Sequence, residues 1–338
     1  MLVGSQTWVF NDKPAILSTG VIGGPFEKQS RIANAFDKFY DDLWMGKDSY
    51  EKAQTVLLED AVDTALRKKA LKEEEIQFFL AGDLINQITP TNFAARTNQI
   101  PLLGLFSACA ISTQGLALAA MILNSRGAEY ILTGASSHNA SAERQFRYPT
   151  EYGGQKPPTA QWTVTGAGVA LVGSGNLVDT PHPRITSATI GKVIDMGLTD
   201  PFNMGGAMAP AAVDTIQRHL VDLGVDPSHY DLIVTGDLAE VGRKAALALF
   251  DQKGIAIQDQ QFQDCGLMVY AKDQEVFAGG SGPGCSAVVM YGHLLNEMKA
   301  GKYKRILVAA TGSLLSPLSV QQKESIPCIA HAVAIEYS

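Results

Sequence analysis

Long runs of lysine or arginine are missing from this 338-residue sequence, and its formal net charge is -7. Proteins that bind nucleic acid present a strongly basic face, because clustered positive charge recognises the phosphate backbone. The sequence therefore argues against nucleic acid as a partner.

Cysteine is also scarce. The four cysteines, Cys109, Cys265, Cys285 and Cys328, form no CxxC pair, and no two histidines have metal-ligand spacing. Disulfide frameworks and zinc sites depend on such spacings. We therefore expect free thiols or small buried hydrophobic side chains at these positions, with no metal site and no cofactor.

Targeting and membrane segments are not visible either. Residues 1–10 contain no basic segment followed by an apolar one, which a signal peptide requires. No apolar run approaches the length that crosses a bilayer. We expect a soluble chain, cytoplasmic or peripheral at a membrane.

The sequence does contain enough apolar residues for a large core, with 46% hydrophobic and 18% charged residues. It also repeats itself. Four segments return in the same order: Ala61–Thr64 as Ala212–Thr215, Phe79–Leu84 as Ile233–Leu238, Gly104 and Cys109 as Gly280 and Cys285, and Thr133–Gly134 as Thr311–Gly312. The shift grows from 151 (212 minus 61) to 178 (311 minus 133). Such a long period indicates two domain-sized copies, residues 1–180 and 181–338.

Each half alternates helices with short buried strands, which is typical of an α/β fold with largely parallel sheets. The first half predicts helices over 56–69 and 111–122 and strands over 76–81, 102–106 and 129–134. The second half predicts helices over 211–223 and from 284 to 298, and strands over 230–235, 275–278 and 305–311. Residues 137–158 interrupt the pattern as a polar, aromatic insertion, which favours a functional loop.

Several motifs carry a resemblance to known families. The run Thr165–Val172 resembles the GDGAGA strand of the thiolase and β-ketoacyl synthase superfamily, which also has a cysteine at the start of an apolar helix. Three longer stretches resemble the stage V sporulation protein AD family of spore-forming bacteria: SSHNASAERQFRYPTEYGGQKP (136–157), GKVIDMGLTDPFNMGGAMAPAA (191–212) and FAGGSGPGCSAVV (277–289). This resemblance implies a five-layered α-β-α-β-α arrangement with two pseudo-symmetric halves.

Cys109 matches the nucleophile of the superfamily. A helix N-terminus stabilises a thiolate, but cysteine catalysis also needs a base within reach. The superfamily supplies His and Asn, or two His, from two loops of the second half. This chain has Asp237 in the first loop and Gly282–Cys285 in the second. We therefore interpret Cys109 as a vestigial nucleophile in a ligand pocket.

Other candidate ligand-binding residues surround this position in the sequence. His138 and Asn139 directly follow the strand over 129–134, where α/β proteins place ligands, although a loop histidine with local hydrogen bonds is an equal alternative. His331 lies in the terminal strand, where the superfamily implies a position beside the cavity. The favoured alternative for His331 is a core histidine whose hydrogen bonds are made within the protein.

The insertion and two strand ends supply charged candidates. Arg144 and Arg147 lie among aromatic residues and suit a planar dianion, because guanidinium groups bind carboxylates bidentately. The alternative is an insertion that packs across a dimer interface. Asp83 and Asp237 end equivalent strands and could hold a cation by oxygen ligation.

Two functions follow. The resemblance to the sporulation family implies a non-catalytic binder of dipicolinic acid, with calcium, that serves its uptake into the developing spore. The partners it implies are proteins of the same operon at the inner spore membrane and a second copy of the chain, paired through the apolar strand over 102–106. The alternative is an acyltransferase or condensing enzyme that uses Cys109. We expect the pocket between the two halves at Cys109, lined by His138 and Asn139, with Arg144 or Arg147 supplying positive charge.

Overall fold

The computed structural model describes residues 1–146 and 156–338. Its strands are β1 Leu2–Val3, β2 Thr7–Val9, β3 Ala15–Gly23, β4 Lys38–Phe39, β5 Phe78–Gly82, β6 Leu102–Gly104, β7 Tyr130–Ser137, β8 Trp162–Thr163, β9 Gly166–Gly173, β10 Pro183–Ile190, β11 Leu232–Thr235, β12 Phe262–Asp264, β13 Gly280–Ser281, β14 Arg305–Ser313 and β15 Cys328–Tyr337. Its α-helices are α1 Tyr50–Arg67, α2 Thr89–Asn98, α3 Ile111–Asn124, α4 Asn139–Phe146, α5 Met204–Leu223, α6 Ala239–Gln252, α7 Cys265–Val269, α8 Pro283–Val288, α9 Leu295–Lys299 and α10 Pro317–Gln321.

Two groups of five strands share one pairing pattern. The first has the order β3-β9-β7-β5-β6 and the second the order β10-β15-β14-β11-β12. In each group the first two pairings are antiparallel and the last two are parallel. Arg184 of β10 pairs with Ala15 of β3, which joins the two groups at one edge. The pseudo-symmetry that the internal repeat predicts is therefore confirmed.

Helices form three layers around these two sheets. α1 and α2 cover the outer face of the first sheet, and α5 and α6 cover the outer face of the second. α3 and α8 lie between the sheets, with α3 touching strands of both. Three buried apolar clusters fill the spaces between these layers. The predicted five-layered α-β-α-β-α arrangement is confirmed, since each sheet face buries its apolar side chains against helices.

Capping residues set the helix starts that apolar spacing did not predict. The hydroxyl of Ser49 accepts a hydrogen bond from Lys52 N at 3.3 Å, so α1 begins at Tyr50. Asn203 caps α5 in the same way through Gly206 N, and Gly224, with φ of 63°, ends it. These first turns lie outside the apolar periodicity.

Two predictions of local structure are wrong. Residues 275–278 form no strand: Phe277 makes an isolated antiparallel bridge to Gln161, where Ala278 N donates to Ala160 O, and Gly279 N then closes a turn onto Val276 O. The strand comes later, as β13, which pairs in parallel with β8. The insertion over 137–158 is not a loop throughout, since its residues 139–146 form α4. Residues 147–155 lie outside the described residues.

None of the helices within residues 1–146 and 156–338 combines the length and the apolar character that crossing a membrane requires. The division of the chain at residue 180 stays a prediction. It does not separate all the strands, because β2 from the N-terminus pairs with β10 of the second half, and β1 pairs with β2.

Candidate functional site

Cys109 lies in a strained turn that leads into α3. Residues 108–110 form one turn of 3₁₀-helix, and Ala108 has φ of 51°, which non-glycine residues rarely adopt. β14 packs directly against this turn, since a Cβ on Gly312 would lie 2.2 Å from Ser107 O. The second half therefore approaches the cysteine as closely as a glycine allows.

A cavity of about 490 Å³ opens in front of Cys109. Both halves line it. The residues of the first half include Asp83, Leu84, Ile85, Ile88, Phe106, Ala108, Cys109, Ala142, Glu143, Phe146 and Thr163. Those of the second half are Pro201, Phe202, Met204, Ser281, Ser313, Leu314, Leu315, Pro317 and Val320. The cavity lies beyond the carboxyl ends of β5 and β14, where α/β proteins bind ligands.

Asp237, in the loop after β11, lies near enough to Cys109 for its charge to act on the thiol. Its carboxylate is fully buried and accepts three hydrogen bonds, from Thr311 Oγ1 at 3.0 Å, Gly282 N at 3.0 Å and Ser281 Oγ at 3.2 Å. Burial raises the pKa of this carboxyl to about 6, against the lowering effect of these donors and with a further rise from nearby Asp264.

The Cys109 thiol is not disposed to ionise. Burial, followed by the charge of Asp237 and a hydrogen bond to it, raises the thiol pKa well above its ordinary value. Catalytic cysteines have the opposite surroundings, with a cation or a histidine that lowers the thiol pKa. Cys109 therefore occupies the position of a nucleophile, but its surroundings raise the thiol pKa instead of lowering it.

Asp83 lines the cavity directly after β5. Its Oδ1 accepts from Ile85 N at 2.8 Å, and its Oδ2 accepts from Thr91 N and Thr91 Oγ1 at 2.9 and 2.6 Å. Burial raises its pKa to about 6. Two of these bonds hold the first turn of α2, and the third closes a turn at Ile85. A carboxylate offers about four acceptor positions, so one remains for a ligand.

The charges of the cavity wall are negative. Among the described residues that line it, the ionisable side chains other than Cys109 are Asp83 and Glu143, and none is Lys, Arg or His. Glu143 forms a half-buried ion pair with Lys156 at 2.8 Å. Lys156 also lies over the ring of Trp162, 5.3 Å from its centroid. The ammonium group of Lys156 is therefore already engaged by Glu143 and the Trp162 ring.

Two predicted histidines lie away from the cavity. His138 is buried between Leu43, whose carbonyl oxygen lies 2.9 Å from Nε2, and the ring of Tyr50 at 5.4 Å. His331 in β15 accepts from Gly191 N at 3.3 Å. Burial lowers the pKa of both to about 4, so both are neutral. Neither is among the lining residues, because local packing and hydrogen bonds hold them elsewhere.

The other predicted ligand-binding residues, Asn139, Arg144 and Arg147, are not among the described lining residues either. Asn139 begins α4, donating from its backbone to Thr165 Oγ1 at 3.0 Å and from its side chain to Thr163 O at 3.3 Å. It supports the wall without lining it. Arg144 points to the surface, half exposed and paired with Glu51 at 2.6 Å. Arg147 lies outside the described residues.

Sequence reasoning missed most of the lining. Three hydroxyls, those of Thr163, Ser281 and Ser313, reach the cavity from strands β8, β13 and β14. Three aromatic rings, those of Phe106, Phe146 and Phe202, come from separate segments. Ser281 and Ser313 could have been predicted from the internal repeat. Each directly follows a repeated glycine of the second half, Gly280 or Gly312, at the end of a strand. Phe146 is one of the aromatic residues around Arg144 and Arg147 that the sequence suggested for a planar ligand, whereas no pattern marked Phe106 or Phe202.

The whole chain matches one family model, and a curated relative agrees with it. The model for stage V sporulation protein AD (SpoVAD) matches residues 4–336. Stage V sporulation protein AD of Bacillus subtilis (strain 168) is 49% identical over 336 residues, covering 99% of this chain and 98% of the relative.

Solved structures share the fold at low sequence identity. Human mitochondrial 3-ketoacyl-CoA thiolase aligns with a TM-score of 0.60 and 14% identity, covering 96% of this chain and 98% of the thiolase chain. The 3-oxoacyl-[acyl-carrier-protein] synthase III of Aquifex aeolicus aligns with a TM-score of 0.56 and 14% identity, covering 96% of this chain and all of the synthase chain. The fold is thiolase-like, as the sequence predicted.

Proposed function

Because the chain belongs to the stage V sporulation protein AD family, and so has a role in sporulation, we propose that it binds dipicolinic acid together with calcium. In this proposal the bound molecule is carried for uptake into the developing spore, without chemical change. The observation that supports it best is the cavity of about 490 Å³ at Cys109, whose cysteine lies near a carboxylate instead of a catalytic base.

The wall of the cavity suits a planar aromatic dicarboxylate. The rings of Phe106, Phe146 and Phe202 offer apolar faces to a flat ring. The hydroxyl of Ser313 can donate a hydrogen bond to a carboxylate oxygen, because its recorded bond is one that it accepts from Cys328. Pockets of this kind combine a mainly apolar wall with a few polar groups that fix the ligand's orientation.

Calcium would neutralise the negative charge of dipicolinate, which the cavity wall would otherwise repel. A free dianion would meet Asp83 and Glu143 across a wall with no described cation. The calcium complex is neutral overall and presents a hard cation, which binds six to eight oxygen ligands. Asp83 can supply one of these oxygens. We therefore propose that calcium arrives with dipicolinate and is part of the bound species.

Titration calorimetry tests this proposal with calcium dipicolinate, dipicolinate alone and calcium alone. We expect the complex to bind and dipicolinate without calcium to bind about tenfold or more weakly, the scale of one lost charged interaction. Leu315→Trp should abolish binding by filling the cavity. Leu247→Trp, at a similarly half-buried leucine of α6, should bind like the parent. Binding that survives Leu315→Trp would overturn the location.

Acyl transfer is the second candidate, because Cys109 occupies a strained helix start in a thiolase-like fold. The missing base and the position of Asp237 favour binding over turnover. A thiolysis assay and a malonyl-decarboxylation assay separate the two. Turnover that disappears in Cys109→Ala, without any binding of dipicolinate, would establish the enzyme.

We also propose that the chain works with other proteins of its operon at the inner spore membrane. The support is the family to which it belongs. Co-purification of those proteins with a tagged chain from sporulating cells tests this. Recovery of the tagged chain alone, from the soluble fraction only, would contradict it.

A further inference from the structure

Residues 84–88 form one wall of the cavity, and this segment contains two residues in a strained conformation. Gln87 and Ile88 have φ of 56° and 46°, and a β-branched residue such as Ile88 rarely adopts a positive φ. Ile88 is buried, and a Cβ on Gly104 of β6 would lie 2.7 Å from its Cδ1. Strained backbone of this kind persists only where the surrounding structure holds it in place.

Gln145 of α4 holds this segment from a separate part of the chain. Its Oε1 accepts from Asn86 N at 2.7 Å, and its Nε2 donates to Leu84 O at 2.8 Å. One side-chain amide therefore binds the backbone on both sides of Ile85, as a neighbouring strand would. Because other residues of α4 line the cavity, this pair of hydrogen bonds, the Gln145 clamp, joins two separate parts of the cavity wall.

The Gln145 clamp brackets a backbone group that orients Asp83. Ile85 N, which lies between the two clamped groups, donates to Asp83 Oδ1 at 2.8 Å. Thr91, in the first turn of α2, donates to the other carboxylate oxygen from its backbone and its hydroxyl at 2.9 and 2.6 Å. One oxygen of Asp83 is therefore fixed by a helix and the other by the clamped segment.

We infer that Gln145 is a positioning residue, which fixes Asp83 in the cavity wall by holding the backbone at Ile85. Its role in binding rests on the proposed function, in which Asp83 supplies an oxygen to calcium. Gln145 is not among the described lining residues, so its effect on a ligand passes through Ile85 and Asp83. Without the clamp, the strain at Gln87 and Ile88 would favour another path for the segment.

Amide hydrogen exchange in the ligand-free protein tests the clamp itself. Gln145→Met keeps the length of the side chain and removes both hydrogen bonds. We expect the Ile85 amide to exchange about tenfold faster or more, although its own acceptor on Asp83 is unchanged. The Thr91 amide, which the same carboxylate holds at α2, should keep the parent rate and so show that the fold persists.

Calorimetry with calcium dipicolinate measures the consequence for binding. We expect Gln145→Met to bind about tenfold more weakly than the parent, the scale of one or two net hydrogen bonds. Gln261→Met is the matched control, because Gln261 is also half-buried and donates to two backbone carbonyls, those of Pro227 and Tyr230. These bonds lie before the amino ends of β11 and β12, away from the cavity, so the control should bind like the parent.

Three results would overturn the inference. An Ile85 amide that exchanges at the parent rate in Gln145→Met would show that the clamp does not hold it. An affinity of Gln145→Met equal to that of the parent would exclude the role in binding, and an equal loss in Gln261→Met would mark a general loss of stability. A parent that binds no calcium dipicolinate would instead contradict the proposed function, and the exchange result alone would then decide whether Gln145 positions Ile85.

Discussion

The phenol of Tyr270 donates a hydrogen bond to Glu27 Oε1 at 2.5 Å, joining the two halves of the chain in a fully buried site. Thr165 N donates to the same oxygen at 3.1 Å, while Glu27 Oε2 has no partner. Thr165 Oγ1 in turn accepts from the backbone of Asn139, the first residue of α4, and later residues of this helix line the cavity. The pair therefore links the interface of the halves to the cavity wall.

This pair predicts a pH-dependent stability. Burial raises the pKa of Glu27 from 4.5 to about 7, against the lowering effect of its hydrogen bonds. The folded state therefore favours the protonated carboxyl. Its contribution to stability is fully present below pH 4.5 and is lost as pH rises to about 7, a change of about 3 kcal/mol for a fully buried group.

Glu27→Gln should remove that dependence. Denaturant unfolding from pH 4.5 to 8 should show the parent losing about 3 kcal/mol relative to the variant. Asp83 and Asp237 titrate in both proteins, so their effects cancel in the difference. Parallel curves for the two proteins would show that Glu27 ionises normally.

A second prediction concerns the edge strand β6. Leu103 is 45% exposed and Phe106 is 63% exposed at the end of the first sheet. An apolar edge strand invites pairing, so we expect a homodimer through β6. Light scattering at high micromolar concentration should report a dimer for the parent and a monomer for Leu103→Glu. Leu177→Glu, at an exposed leucine elsewhere, should remain dimeric, and a monomeric parent would contradict the prediction.

The two arginines of the insertion should differ. Arg144 pairs with Glu51 at the surface, so Arg144→Ala should leave the affinity for calcium dipicolinate within about twofold of the parent, as expected for an exposed pair. Arg147 stays a predicted ligand contact, and Arg147→Ala should weaken binding by roughly tenfold to a hundredfold. Lys68→Ala is the control at the surface of α1. Equal loss in both arginine variants would show that Arg144 also reaches the ligand.

The structure leaves no room for a side chain at Gly312. An added Cβ would lie 2.2 Å from the carbonyl oxygen of Ser107, beside the Cys109 turn. We expect Gly312→Ala to lower the free energy of unfolding by about 2–3 kcal/mol, because a packed backbone must shift. Gly46→Ala has open space around its Cβ but φ of 72°, so it should cost only about 1 kcal/mol. Similar losses in denaturant unfolding would argue against close packing at Gly312.

The sequence predicted the fold well because its determinants are periodic. The repeat around Ala61 and Ala212 placed α1 and α5, and buried strands such as β9 carry eight buried residues in succession. The strand expected at 275–278 failed, since the backbone there turns before β13. An apolar strand and an apolar turn share the same residue types.

The candidate site was harder to predict, because it depends on contacts between distant segments. Cys109, Asp83 and Asp237 could be found from strand and helix ends. That Asp237 faces Cys109 follows only from the packing of β14 and α8 against the turn. From the sequence, His138 was as good a candidate for the cavity as for local hydrogen bonding. In the structure, the bond between its ring and the Leu43 carbonyl oxygen and its stacking on Tyr50 hold it away from the cavity.

A crystal structure of the protein soaked with calcium dipicolinate would locate the bound ligand directly. We expect the ligand in the cavity at Cys109, with its ring against the phenylalanines, its calcium near Asp83 and no covalent bond to the cysteine. A ligand bound outside this cavity, or one attached to Cys109, would contradict it.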